Sequence, residues 1–320
     1  MFASGHSARV PTDVHAFLRA RVTRPLTRFA PAPTGALHLG HVVNAVYVWG
    51  LARALDGEVL LRIEDHDRQR SRAHYERDLL DDLDWLGFKA DHYPTSCYRA
   101  GSCEGRQSER DTIYRQALAP LIAAGLVYGC DCSRARQTAT APLPTSPIGG
   151  ERRYPGTCRE RGIPLDDSVG WRIRLEPGIE RFEDAIVGWQ EQDPESQCGD
   201  LLLRDRLGNW TYQCVATIDD NVQRITVVVR GQDLLPSTGR QIRLARLIGR
   251  VQPPLFAHHP LVMKSQAQKL SKSDRDSGIR ELRAAGWSAE QIIGRAAQLA
   301  GLAGESRLAA RDLPALFSSP

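Results

Sequence analysis

Two short segments of the chain carry residue types suited to handling phosphate. The first is Arg28-Phe-Ala-Pro-Ala-Pro-Thr-Gly-Ala-Leu-His-Leu-Gly-His41. A short apolar run feeds a turn stiffened by Pro31 and Pro33, and His38-Leu-Gly-His41 then opens a helical pattern. The imidazoles of His38 and His41 can donate to phosphate oxygens, and a helix N-terminus adds about half a positive charge. Gly40 lets a ligand approach the backbone closely. The second segment is Lys269-Leu-Ser-Lys-Ser273. Lys269, Ser271, Lys272 and Ser273 can clamp a triphosphate and offset the charge that develops as pyrophosphate leaves. A third segment, Cys130-Asp-Cys132 followed by Tyr154-Pro-Gly-Thr-Cys158, reads by itself either as thiols and a surface tyrosine or as a metal site. Cys97, Cys103, Cys198 and Cys214 have no usable ligand spacing and read as ordinary thiols. His258-His259, just before a proline, reads as a metal pair, a neighbour of the lysine–serine loop, or plain surface.

These residues need elements to hold them. The chain has 320 residues, 42% apolar and 25% charged, enough for about two domains with buried cores. No apolar run reaches the ~18 residues that a membrane span requires. Seven cysteines without a secretory signal favour free thiols or a metal over a disulfide framework. The net charge of +4 permits a polyanionic partner without demanding one. Residues 1–24, rich in arginine, read as a floppy extension or a misplaced start. Leu26 to Ala30 is a strand candidate, His41 to Leu55 a helix stopped by Gly57, Val59 to Ile63 a strand, and Tyr75 to Leu86 a helix ending at Gly87. This is the grammar of a parallel α/β sheet. Ser108 and Asp111 suggest a capping box opening a helix that runs to Gly125. Trp171 to Leu175 and Leu201 to Leu203 are strand-like. The α/β grammar then resumes with a helix from Thr211 to Ile218, a strand from Ile225 to Val229, a helix from Ser237 to Ile248 and a short strand from Leu261 to Met263. A capped helix from Ser288 to Leu299 comes last.

The His-Leu-Gly-His and Lys-Leu-Ser-Lys-Ser pair resembles the two signatures of class I aminoacyl-tRNA synthetases. Arg62-Ile-Glu-Asp65, Gln107-Ser-Glu-Arg110 and Val229-Arg-Gly-Gln-Asp-Leu234 narrow the likeness to the glutamyl branch, over roughly residues 26–275. Within that branch the chain is similar to the short paralogues that place glutamate on queuosine, since only residues 274–320 follow Ser273. The resemblance implies an α/β fold: a Rossmann catalytic domain in two halves (25–104 and 209–275), split by a zinc-bearing α+β insertion (105–208). An N-terminal extension (1–24) and a short helical tail (276–320) flank it. In these paralogues the cysteine pattern is similar to a structural zinc site, here Cys130, Cys132, Tyr154 and Cys158.

The resemblance also implies the chemistry. Arg28 and Arg230 would each grip a carboxylate of glutamate, Glu64 would accept from its ammonium, and Tyr212 would close the pocket, with Phe29, Ala30, Pro31 and Ala32 beside it. The family more often has serine at the position of Ala32. ATP with Mg²⁺ would bind at His38, Gly40, His41, Lys269, Ser271, Lys272 and Ser273. His38, His41, Lys269 and Lys272 would assist adenylate formation. Queuosine in the anticodon of tRNA(Asp) would then take the glutamate, with activation needing no tRNA. Arg243, Arg246 and Arg250, on one predicted helix face, would help hold the RNA. The expected protein is a cytoplasmic monomer with no membrane partner. A truncated ligase charging tRNA(Glu), an inactive nucleotide- or tRNA-binding paralogue, and a nucleotidyltransferase of the same superfamily remain as rivals.

Overall fold

The computed structural model describes residues 14–133, 153–261 and 278–318, with the backbone alone at 263–265 and 268–269. Strand β1 (Leu26–Phe29) leads through the proline turn into helix α1 (Leu39–Ala54), and β2 (Glu58–Leu61) returns parallel to β1, with Leu26 opposite Glu58. Helix α1 is apolar on nearly every side, and Val42, Val46, Tyr47 and Leu51 are buried. A helix of that kind must be covered all round. It has the sheet on one flank and the C-terminal tail on another. At Gly50 the Phe317 ring leaves no room for a side chain, because a Cβ there would lie 2.2 Å from it. Helix α2 (Ala73–Leu86) ends where the sequence predicts, with Gly87 in the left-handed conformation at φ 81°.

Helix α3 (Asp111–Ala123) starts differently from expectation. Arg110 precedes it without a side-chain cap, and Ser108 lies in a preceding 3₁₀ turn, where its N–H donates to Asp65 at 2.8 Å. Antiparallel strands β3 (Val127–Cys130), β4 (Gly170–Ile173) and, later, β7 (Leu201–Arg204) form a separate three-stranded sheet. Its core includes Tyr114, Trp171, Leu203 and Trp210. Between β4 and β7 the hairpin β5 (Glu180–Asp184) and β6 (Gly188–Gln192) leaves that sheet.

The chain then rebuilds the α/β pattern with α4 (Tyr212–Val222), β8 (Val227–Gly231), α5 (Thr238–Leu247) and β9 (Leu255–His259). Strands β8 and β9 are parallel, and the hairpin joins them through β5, giving the order β6-β5-β9-β8. The two halves meet where the Thr226 N–H donates to the Leu26 carbonyl at 2.9 Å and the Leu26 N–H to the Thr226 hydroxyl at 2.8 Å. Strands that lie 200 residues apart in sequence thus become neighbours. Short strands β10 (Met263–Ser265) and β11 (Gln268–Lys269) pair antiparallel, replacing the expected strand at 261–263. Helix α6 (Ala289–Leu299) carries the expected cap, a reciprocal box between Ser288 and Gln291.

One cysteine expectation is corrected. Cys97 and Cys103 are not separate thiols but a disulfide, their Cα atoms 5.7 Å apart. The helical turn Thr95–Arg99 is followed by Gly101 at φ 122°, which folds the chain back so that the two side chains meet.

Candidate active site

A cleft of about 460 Å³ opens at the C-terminal ends of β1 and β8 and at the N-terminus of α1. A doubly wound sheet gathers ligands at such a crevice. Eight of the anticipated residues line it: Arg28, Ala30, His38, Gly40, His41, Glu64, Tyr212 and Arg230. Phe29, Pro31 and Ala32 do not. Phe29 packs into the core against Trp49, with ring centroids 5.2 Å apart. The Pro31 carbonyl accepts from the Glu64 N–H at 3.0 Å, and the Ala32 carbonyl from the Thr34 N–H at 2.8 Å.

The two arginines live in different surroundings. Arg28 Nε donates to Asp220 Oδ1 at 3.0 Å and its Nη1 to the Val229 carbonyl at 3.2 Å. The same Oδ1 accepts from Arg62 Nη1 at 2.8 Å, and Arg62 Nη2 reaches Glu64 at 3.3 Å. Burial alone would push Asp220 up, but Arg28 and Arg62 outweigh it and hold the carboxyl below its ordinary range. Glu64 goes the other way. Its burial outweighs Arg62, His66 and Arg28 and raises it. Among the described residues Arg230 has no carboxylate in its hydrogen-bond shell. Its Nε donates to His258 Nε2 at 3.0 Å, its Nη1 to Gln241 Oε1 at 2.7 Å and its Nη2 to Thr238 Oγ1 at 2.9 Å, with the Tyr212 hydroxyl 3.5 Å away. All four partners are neutral, and burial lowers the guanidinium's pKa. A buried cation whose described hydrogen-bond partners are neutral groups is suited to receive an anion.

His38 caps α1. Its Nδ1 accepts from the Gly40 N–H at 3.1 Å, and His41 Nδ1 accepts from the His38 N–H at 3.1 Å. With Nδ1 accepting, the proton of each neutral ring sits on Nε2, the donor that a phosphate oxygen needs. Lys269 lies on β11 opposite Met263, while Ser271, Lys272 and Ser273 fall outside the described residues.

Sequence reasoning missed Asn44 and Asp233 on the cleft wall, where His259 also stands. His259 Nε2 lies 3.1 Å from Asn44 Oδ1, and its ring stacks on Tyr47 at 4.7 Å. Asn44 is one helical turn beyond His41, and that spacing was the available signal. Behind the cleft, Asp219 accepts from Gln107 at 2.8 Å, Arg110 at 2.7 Å and Tyr114 at 3.0 Å. The Gln107-Ser-Glu-Arg110 segment therefore braces the site from outside it.

Two expectations are revised here. For His258 and His259 the surface and metal-pair readings fail, since both are buried, on alternate sides of β9, each with its own partners; the loop that the third reading sets beside them lies largely outside the described residues. Arg243, Arg246 and Arg250 are not a bare cationic face. Arg243 and Arg246 pair with Glu180, and Arg250 donates to the Asp220 carbonyl at 2.9 Å and the Ile225 carbonyl at 2.5 Å. Their acceptors come from other segments, which helical spacing cannot reveal.

About the end of β3, the sulfurs of Cys130, Cys132 and Cys158 lie within 4.8 Å of one another. Tyr154 OH is 3.6 Å from Cys130 Sγ and accepts from the Cys158 N–H at 2.9 Å. The Arg172 guanidinium sits 3.7 Å over the Tyr154 ring. The chain brings all four anticipated ligands together.

The chain matches the model of the catalytic domain of class I tRNA synthetases (E and Q) over residues 25–306. It is 39% identical to a glutamyl-Q tRNA(Asp) synthetase of Rhodobacter capsulatus over 282 residues, 83% of this chain and 98% of that protein. It is 40% identical to the protein of the same name from Symbiobacterium thermophilum, over 86% of each chain. The crystal structure of a glutamate-tRNA synthetase from Elizabethkingia anophelis shares its fold, with a TM-score of 0.73 at 24% identity, covering 92% of this chain and 66% of that one. The class works with ATP and Mg²⁺. Among the described residues no helix is long and apolar enough to cross a membrane. The chain belongs to the class I aminoacyl-tRNA synthetases of the glutamate and glutamine type, as a ligase of the glutamyl-Q tRNA(Asp) synthetase group.

Proposed function

We propose that the chain activates glutamate with ATP and transfers it to queuosine in the anticodon of tRNA(Asp). The observation that carries the first step is Arg230, a buried guanidinium on the cleft wall whose partners are all neutral. A substrate carboxylate completes its charge. Arg28 takes the second carboxylate, Glu64 accepts from the ammonium, and Tyr212 closes the pocket beside Arg230. The α-carboxylate attacks the α-phosphorus of ATP, forming glutamyl-adenylate and releasing pyrophosphate. ATP enters with its Mg²⁺. Nε2–H groups of His38 and His41, with the α1 N-terminus at Gly40, steady its phosphates. Lys269, Ser271, Lys272 and Ser273 hold the departing pyrophosphate. Each preorganised donor of this type contributes about 3–4 kcal/mol. A hydroxyl of the queuosine cyclopentenediol then attacks the acyl carbon, and AMP leaves.

The names of the two bacterial relatives support the queuosine acceptor. The fold likeness to a glutamate-tRNA synthetase supports a second reading, charging of tRNA(Glu). Three converging thiols and a phenol suit zinc, which forms tetrahedral sites with sulfur and oxygen ligands. Cys130, Cys132, Cys158 and Tyr154 would hold it, and the metal would pin loops that have little apolar core of their own. The catalytic halves are assigned to 25–104 and 209–275, and the insertion to 105–208, apart from the β5–β6 hairpin, which adds to the sheet of β8 and β9.

Glutamate-dependent ATP–pyrophosphate exchange without RNA tests activation. Labelled glutamate offered with queuosine-containing tRNA(Asp), unmodified tRNA(Asp) and tRNA(Glu) tests the acceptor. Label on the first alone is expected. Exchange that appears only with tRNA(Glu) sinks the proposal in favour of the ordinary ligase.

A further inference from the structure

We infer that Asp184 and His258 are positioning residues that aim Arg230 at the substrate carboxylate, by fixing which nitrogen of His258 carries the proton. This deepens the function proposed above and rests on it.

One atom of this network cannot change role. An arginine Nε is always a donor, never an acceptor. Arg230 Nε lies 3.0 Å from His258 Nε2, so that nitrogen must offer a lone pair. The Thr238 hydroxyl accepts from Arg230 Nη2 at 2.9 Å and lies 3.2 Å from the same His258 nitrogen, to which it can donate. Two donors therefore converge on Nε2. The proton of the ring is left on Nδ1, which lies 2.6 Å from Asp184 Oδ2. A carboxylate accepts there, and the tautomer is fixed.

Asp184 is itself held rigidly. Its Oδ1 accepts from the Ile186 and Val187 N–H groups, both at 2.9 Å, across the turn of the β5–β6 hairpin. The His258 N–H also approaches it, at 3.2 Å from Oδ2. Both side chains are fully buried, and the His258 ring lies flat against Phe256, with planes 16° apart. Burial pushes the His258 pKa down to about 4, beyond what Asp184 restores, so the ring stays neutral at physiological pH. A protonated ring would set a second cation and an opposing N–H against Arg230. The relay has a further economy: it puts a carboxylate's directing power behind Arg230 while keeping the negative charge one imidazole away. The guanidinium thus stays oriented but uncompensated until substrate arrives.

The polar hairpin that carries Asp184 departs from the neighbouring three-stranded sheet to add to β9. On this reading that excursion delivers a hydrogen-bond acceptor to the back of the substrate pocket.

Asp184→Asn tests the inference. Its amide can donate to Nδ1, which moves the ring proton to Nε2 and against Arg230. The glutamate KM is expected to rise at least about tenfold, with the ATP KM within about twofold of wild type. His258→Gln restores an acceptor for Arg230 and should recover part of the loss seen in His258→Leu. An unchanged glutamate KM in Asp184→Asn, or His258→Gln no better than His258→Leu, overturns the relay. Nitrogen-15 NMR of histidine-labelled wild-type protein decides the matter even where variants fail to fold: His258 should show the Nδ1–H tautomer, and an Nε2–H tautomer refutes it. A wild type without glutamate-dependent exchange instead counts against the function proposed above, and the NMR result then still stands.

Discussion

The substrate cleft and the cysteine cluster are both polar sites in a folded chain, but they are held by opposite means. In the cleft, Arg28 finds Asp220 192 residues away, and behind it Arg110 finds Asp219 109 residues away. In the cluster the partners are near in sequence, with Cys130 and Tyr154 24 residues apart and Cys132 and Cys158 26. The cleft is assembled by the sheet, and among the described residues Arg28 hydrogen-bonds a carboxylate there while Arg230 hydrogen-bonds neutral groups. The cluster collects groups that become anionic on binding a metal, over a small core. A site awaiting an anionic substrate can be prebuilt, because the rest of the fold covers its cost. A site awaiting a metal is part of the folding reaction itself.

The largest expected effect falls on the cluster. Cys158→Ser should lose zinc and unfold the three-stranded sheet around it, since a structural zinc contributes ~10 kcal/mol or more in small modules. Tyr154→Phe should keep the fold and weaken zinc about 10- to 100-fold, read by chelator competition. A purified protein that is zinc-free, folded and active removes the contrast between the regions altogether. The next effect separates the two arginines. Arg230→Gln should cut glutamate-dependent exchange roughly 10³-fold while leaving the urea midpoint near wild type, because a buried uncompensated charge is removed. Arg28→Met leaves Asp220 short of one partner, and breaking such a buried pair costs about 3–5 kcal/mol. Equal losses of stability in the two variants would show that their surroundings do not differ as described.

The smallest effect is a matter of pH. Glu64 must be ionised to accept from an ammonium, and its folded pKa is raised by burial. The glutamate kcat/KM should therefore fall on acidification along a limb lying above the ordinary glutamate value of about 4.3. The sign for stability is the reverse of that for a salt-bridged acid. The native state holds this proton more tightly than the unfolded chain does, so the contribution is full below the unfolded pKa and is lost as pH rises through the folded one. An acid limb unchanged in Glu64→Gln would assign it to another group.

What the sequence disclosed follows the range of the interaction. His38 and His41 were legible because a helix N-terminus and its cap are local, as were the Ser288–Gln291 box and the Gly87 stop. Strand β5 was not legible: Glu-Arg-Phe-Glu-Asp alternates in burial, but its buried face carries Glu180 and Asp184. Those carboxylates look like solvent-facing residues until Arg243 and His258 arrive from far along the chain. The carboxylate that Arg243 and Arg246 share was hidden for the same reason. The resemblance to the synthetases supplied Arg28, Glu64 and Arg230. No pattern in the sequence supplied Asp220, which ties the first and second of these together through Arg62.

The meeting of Leu26 with Thr226 also sets a timetable for synthesis. A ribosome adding about 5–20 residues per second needs some 10–40 s to pass from one strand to the other. Until then β1 presents an unpaired edge, a template for pairing with other chains. Helix α1, apolar nearly all round, emerges in the same interval without the tail residue Phe317 that later packs on its Gly50. The four-stranded sheet can form only after residue 259, because β8, β9 and the hairpin that joins them must all be made first. The three-stranded sheet bearing the cysteines is complete by residue 204, so it can form before the sheet of β8 and β9.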